Sequence, residues 1–290
     1  MFKSKYAKSI FFLLLILTFH NLLAQNDLSK AKKLYSHGEL RSAIELLESM
    51  DGKCDIVEVK SILTKAYAKL ENWKAASKQA EFLIALEPKN AEYHFRYGAA
   101  LGMMAKNTNK LAALIMLDDI LFHLKKATRL DPEHTYSRWS LIKIYLELPA
   151  IIGGTKSKAL KYAQQLVKID PVEGNLAKAY IERSEANPGS AEDHLNRAIQ
   201  LSQSTASSWV IKFARVAKLT RSDQQTAIRY IEAFDLTSIS QKRLKRLFLL
   251  RGQLHQQIGE EKKAIFYLNQ SLAIDEGYQP ARKALLALNN

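Results

Sequence analysis

Along most of the chain, apolar residues recur every three or four positions, which is the period of helices buried on one side. Three stretches close this pattern alike: FLIALEPKNAEYHFRYG (82–98), KKATRLDPEHTYSRWSL (125–141) and QLVKIDPVEGNLAKAY (165–180). Each is a helix tail, then an acid, then a proline, then a fresh helix. Pro88, Pro132 and Pro171 cannot continue a helix, so each is expected to end one and open the turn into the next. A second pattern runs inside the units, a small or turn-like residue followed five positions later by alanine: Gly38 to Ala43, Glu71 to Ala76 and Gly259 to Ala264. Two helices of a hairpin approach closely only where a side chain is small, and a larger one there costs ~1–3 kcal/mol of strain.

These units resemble tetratricopeptide repeats, 34-residue helix–turn–helix modules with small residues at the helix contact and a closing proline. Gly98 and Gly252 stand where that family keeps a small residue in the first helix, and Tyr67 and Tyr145 match its aromatic near that helix's end. The resemblance covers roughly residues 26–290 and is faintest over about 174–237, where no closing proline follows. It implies an all-α fold, a right-handed α-α superhelix (a tetratricopeptide solenoid) of six to seven hairpins with a C-terminal capping helix. The hairpins are expected near 26–50, 55–87, 90–130, 134–169, 173–202, 205–235 and 239–275, with YQPARKALLALNN as the cap. Pro88 and Pro132 are 44 residues apart, ten over the period, and the surplus is expected at 104–120 as one lengthened hairpin. Pro132 and Pro171 are 39 apart, five over, and the surplus falls at Pro149–Gly153. Gly153-Gly154 then reads as a stretched hairpin turn with Thr155 as helix cap, not as a phosphate loop. The nucleotide motif needs G-x-x-x-x-G-K-[ST] after a strand, and 141–148 reads as helix.

The first 24 residues stand apart. Lys3, Lys5 and Lys8 precede an apolar run from Ile10 to Phe19, and Ala24 offers a small residue for cleavage. This is the layout of a secretory signal peptide, too short for a permanent transmembrane helix, and it leaves a mature domain of 25–290 with no membrane span. No cysteine follows the cleavage point, as a lipoprotein would require. The segment carries three lysines and no acid, so its loss takes the formal charge of +14 to +11. Export to the periplasm, or secretion, follows. The single cysteine, Cys54, can make no internal disulfide, so packing must hold the fold.

No catalytic, cofactor or metal constellation emerges. The histidines that remain after cleavage are spread over different units, and no H-x-x-x-H or C-x-x-C occurs. No nucleophile sits in a recognisable elbow. What the resemblance offers is a binding face: in the family, first-helix residues turned away from the hairpin partner line a concave surface. Carried onto this chain they are Glu58, Ser61, Lys65, Ala68 and Lys69, then Glu92, Phe95, Ala99 and Met103, then Tyr136, Trp139, Lys143 and Glu147. Of these, Lys65, Lys69, Phe95, Tyr136, Trp139 and Lys143 suit a protein or peptide partner bearing acids and an apolar anchor. Trp139 fits equally as core between repeats. The chain lacks the Lys/Asn/Arg set with which cytosolic relatives clamp a terminal carboxylate. The alternative site is QKRLKRLFLLR (241–251), a basic strip for anionic lipid or an acidic polymer, or simply a solvated helix face. Nucleic acid is disfavoured by export and by the lack of interleaved aromatics.

Overall fold

Helix follows helix through the described residues, which in this computed structural model are 25–50, 55–202, 224, 228, 231–232 and 239–288. No strand occurs among them. Residues 1–24, expected from the sequence to be a signal peptide, Cys54 and almost all of the hairpin expected at 205–235 lie outside the described residues. By contact the chain falls into two units, Met1–His134 and Thr135–Asn290. The first contains α1 (25–37), α2 (Leu40–Glu48), α3 (Ile56–Lys69), α4 (Trp73–Leu86), α5 (Ala91–Lys106) and α6 (Lys110–Leu130). The second contains α7 (Thr135–Glu147), α8 (Lys156–Ile169), α9 (Pro171–Ser184), α10 (Pro188–Ser202), α11 (Gln241–Gln257), α12 (Glu261–Ile274) and α13 (Gln279–Leu286). Within each unit successive helices pack on one another as hairpins, so the expected all-helical repeat is what the chain forms.

The five-residue spacing is a helix-capping motif used four times among the described residues. At residues 38, 71, 186 and 259 the backbone enters the left-handed region, with φ of 86°, 60°, 56° and 81°. Each of these amides donates three residues back, to the carbonyls of Tyr35, Ala68, Arg183 and Gln256. The following amide reaches five back, to Leu34, Tyr67, Glu182 and His255. Those two bonds satisfy the orphan carbonyls of the first helix and reverse the chain in two residues. The next helix begins at once, and its fourth residue is Ala43, Ala76, Ala191 or Ala264, each with no exposed surface. Seven residues before each left-handed position the first helix also carries a small residue: Ala31, Thr64, Ala179 and Gly252. A Cβ on Gly252 would lie 2.7 Å from Leu268 Cγ and 3.0 Å from the Ala264 carbonyl, so nothing larger fits without movement. The pair Ala186 and Ala191 shows that the fifth hairpin, faint in sequence, uses the same turn.

Between hairpins the acid–proline junctions are of two kinds. After α4 and α6 the chain makes a short turn, closed by Asn90 N–H to the Glu87 carbonyl and His134 N–H to the Asp131 carbonyl, both at 3.1 Å. Pro171 departs from the expected turn. Asp170 ends α8 and also caps α9, accepting the amides of Val172 and Glu173 at 3.0 and 3.1 Å, and Pro171 is the first helical residue. Proline suits that position because its missing N–H would have had no partner. With no turn to separate the helices, Gly174 meets the backbone nitrogen and Cα of Val167 where a Cβ would stand.

The two length surpluses have distinct forms. In the first unit α6 runs 21 residues against 14 in α4, and its residues 110–116 precede the portion that buries Ile120, Leu124 and Ala127. In the second unit the stretch after α7 coils into a short 3-10 turn, Ala150–Ile152, and leaves through Gly153 at φ 93°. Thr155 then caps α8 by accepting the Lys158 amide at 3.2 Å.

The core of the first unit joins Leu28 and Ala31 to Ile44, Leu47, Val59, Leu63 and Ala66. That of the second joins Val172, Leu176 and Ala179 to Leu195, Ile231, Leu247 and Leu254. Tyr67 and Tyr145 take different partners. Tyr67 donates its hydroxyl to Glu48 of the preceding hairpin, and burial beside that carboxylate pushes its pKa up to about 12. Tyr145 is buried and lies parallel to Tyr162 at 6.0 Å.

Candidate partner-binding faces

In the first unit the first helices α1, α3 and α5 carry a continuous set of charged and aromatic contacts. Lys32 of α1 pairs with Glu58 of α3 at 2.6 Å. Lys69 of α3 sets its ammonium 3.8 Å from the centre of the Tyr35 ring, a cation–π contact across the two hairpins. On α5, Glu92 is shared between Arg96, one turn along, and His134, whose Nε2 lies 3.0 Å away. Burial acts to raise the Glu92 carboxyl, but the hydrogen bonds from His134 and Arg96 and the Arg96 charge outweigh it and hold the group below its ordinary range. Phe95 rests half-buried with its ring 5.0 Å from that of His134.

Lys65 occupies the middle of this face. Its ammonium is partly desolvated and lies in the field of Arg96, and both effects lower its pKa; Glu92 and Glu58 act in the opposite direction. The face thus carries four cations, Lys32, Lys65, Lys69 and Arg96, against the carboxylates of Glu58 and Glu92. Lys32, Tyr35 and Arg96 were not singled out from the sequence. Arg96 was legible as the (i, i+4) partner of Glu92, whereas the Tyr35–Lys69 contact joins residues from different hairpins, which spacing alone does not reveal.

In the second unit Tyr136, Trp139 and Lys143 share one side of α7. Tyr136 is exposed and Lys143 half-buried. Trp139 faces α9: its indole N–H donates to Glu173 Oε2 at 3.1 Å, and its ring meets Tyr180 edge-on at 6.0 Å. It also packs against the core of that unit, and Glu173 is buried beneath it. These contacts are packing between first helices of successive hairpins. The remaining sequence candidates, Lys65, Lys69 and Phe95, belong to the first unit.

The lysines of the Gly-Gly turn are engaged within the fold. Lys158 Nζ donates to the Gly153 carbonyl at 2.8 Å, and Lys156 pairs with Glu182 at 3.0 Å. The basic strip 241–251 is divided likewise. Lys245 pairs with Asp275 over the Tyr278 ring, and Arg251 is buried, its guanidinium 4.1 Å from the Tyr267 ring. Lys242, Arg243 and Arg246 remain on the exposed side. His94 and His123, counted from the sequence among histidines spread over different units, instead belong to one hairpin and meet with their Nδ1 atoms 2.8 Å apart. His94 Nε2–H donates to the Pro88 carbonyl, so its Nδ1 accepts from His123.

The class these features define is a repeat of helix–turn–helix hairpins, closed by left-handed caps and packed through small residues. No family model and no curated protein matches the chain. Among solved structures it is similar to a thermophilic TPR protein from Thermus thermophilus, at 21% identity over 62% of this chain and 91% of that one, with a TM-score of 0.49. A tetratricopeptide repeat protein from Parabacteroides merdae is similar at 15% identity over 92% of this chain and 99% of that one, with a TM-score of 0.48. A third likeness is to MamA from Desulfovibrio magneticus, at 18% identity over 65% and 98% of the two chains, with a TM-score of 0.47.

Proposed function

We propose that this protein is an exported, non-catalytic scaffold that binds a protein or peptide partner through the first-helix faces of its hairpins. The observation that carries the reading is the first-helix face of the first unit, where Lys69 lies over the Tyr35 ring and Lys65, partly out of water, lies in the field of Arg96 with Glu92 and Glu58 opposing it. A carboxylate arriving there relieves an unfavourable charge as well as forming its own pair, so an acidic segment is the matching ligand. Phe95 and Lys69 border the same face of the first unit, and Tyr136 and Lys143 on α7 are proposed separately as contacts of the second unit. Trp139 is better suited to supporting that helix than to direct contact, given its bonds to α9. Periplasmic location follows from the leader-like residues 1–24, and mass spectrometry of the processed chain checks it: a mature product beginning at Gln25 supports export.

Recovery of the partner from the protein's own envelope fraction tests the binding role. Lys65→Gln removes the charge and leaves a neutral side chain one bond shorter, and should lower recovery roughly tenfold, the worth of one charge-assisted hydrogen bond. Undiminished recovery by a folded Lys65→Gln variant contradicts the assignment. The inward-turned Lys245 and Arg251 give no support to lipid docking through 241–251.

A further inference from the structure

The lengthened hairpin of the first unit has an unusual start to its second helix. Residues 110–117 read KLAALIML, with one polar side chain in two turns. A helix apolar on every side belongs inside a protein or a membrane. Here, however, Leu111 and Ile115 are 71% and 74% exposed, and Leu114 and Met103 of α5 are exposed beside them. The reason is architectural: these turns are the surplus of α6 over the repeat and precede the part of the helix that packs into the hairpin core. Lys106 and Lys110, both exposed, flank the short link between the helices. From Tyr93 to Leu117 the chain carries no acid, and the exposed Asp118 and Asp119 follow in the turn after Leu114 and Ile115, on the side away from Lys106 and Lys110 in sequence.

Three occupants are conceivable, and the composition separates them. Protein interfaces are enriched in aromatic residues, methionine and arginine and depleted in lysine; the end of this hairpin offers two lysines and one exposed methionine, Met103, and its nearest exposed aromatic, Phe122, lies two turns further along α6. A second copy would need roughly 800 Å² from each partner, whereas four side chains make a patch of only a few hundred Å². An anionic bilayer surface asks for what is present: aliphatic side chains to enter the headgroup boundary and lysines to meet phosphates. We infer that the α5–α6 tip docks the protein on an anionic lipid surface, with Leu111, Leu114 and Ile115 inserted and Lys106 and Lys110 at headgroup level. This docking is independent of the partner face around Lys65.

The full chain is tested with Cys54→Ser and a single Leu114→Cys carrying an environment-sensitive fluorophore. Vesicles are either phosphatidylcholine alone or phosphatidylcholine with phosphatidylglycerol. A second preparation labelled through Lys78→Cys, on the exposed side of α4, controls for adsorption through any other part, the leader included. The expected result is a blue shift from position 114 and none from 78, with anionic vesicles only. Lys106→Gln with Lys110→Gln should weaken the apparent affinity roughly thirtyfold, and added salt should do the same. A probe at 114 that stays in water on anionic vesicles overturns the inference. So does an equal response to uncharged vesicles, or a shift that needs no vesicles and grows with protein concentration, which would mark a second copy.

Discussion

Replacing two helix glycines by alanine should move stability in opposite directions. In a helix interior the exchange is worth ~1 kcal/mol in favour of alanine, through backbone entropy alone. At Gly102, in α5, a new Cβ would find its nearest neighbour at 3.9 Å, the Ile120 Cγ2, which is ordinary van der Waals contact. The full gain of ~1 kcal/mol is expected there. At Gly174 the same Cβ would overlap the Val167 backbone, which cannot rotate away as a side chain can. The helices would have to part at a junction where Asp170 already serves both of them. Overpacking of ~1–3 kcal/mol, and more where backbone must move, outweighs the propensity gain and leaves a net loss of about 2 kcal/mol. Repeat arrays need not unfold in one step, so hydrogen exchange read on peptides from α5 and from the α8–α9 junction is the suitable assay. Protection should rise locally in Gly102→Ala and fall around Asp170 in Gly174→Ala. Equal changes of one sign at both sites would refute the close approach of α8 and α9.

Glu71 and Ala186 occupy left-handed positions that cost a non-glycine residue about 1 kcal/mol. Glu71→Gly and Ala186→Gly should therefore each stabilise by about that amount in denaturant titration, and a loss in either would count against the shared cap. His123 has its pKa lowered by burial first and by His94 second, while Asp119 acts against both. Its folded pKa lies below the unfolded one, so its contribution is intact above the ordinary value of about 6.5 and is lost as pH falls through the folded pKa. An NMR titration of the His123 ring should give a midpoint below that of a free histidine, and a raised midpoint would contradict the neutral pair. Trp139→Ala should destabilise the second unit by about 3 kcal/mol, since it vacates packing on α9 and strips Glu173 of its indole donor. A melting temperature equal to wild type would mean that the indole is not a packing element.

Much of the hairpin layout is readable from the chain because two backbone requirements leave marks on composition. A left-handed cap favours glycine, and the close helix contact five residues later demands alanine. Where a residue other than glycine fills the cap, the mark fades: Ala186 followed by Ala191 looks like ordinary helix until its φ is known. The α8–α9 junction was legible in part. Asp170, Pro171 and Glu173 fit a capped helix start with proline in its first turn, whereas Pro88 leads instead to a separate cap at Asn90. The binding face was less accessible. Lys65 and Phe95 follow from their places on first helices, but the balance of charge around Lys65 depends on Arg96, Glu92 and Glu58 arriving from two helices. The same holds for Trp139, whose partner Glu173 lies 34 residues away.

Site-specific photo-crosslinking in the native host separates the two sides of one hairpin and tests the scaffold reading most directly. A photoreactive residue in place of Ser61, beside Lys65 on the first-helix face, should yield a protein or peptide adduct. The same residue in place of exposed Lys78, on α4, should not. Adducts formed from Lys78 and none from Ser61 would show that the partner is held elsewhere.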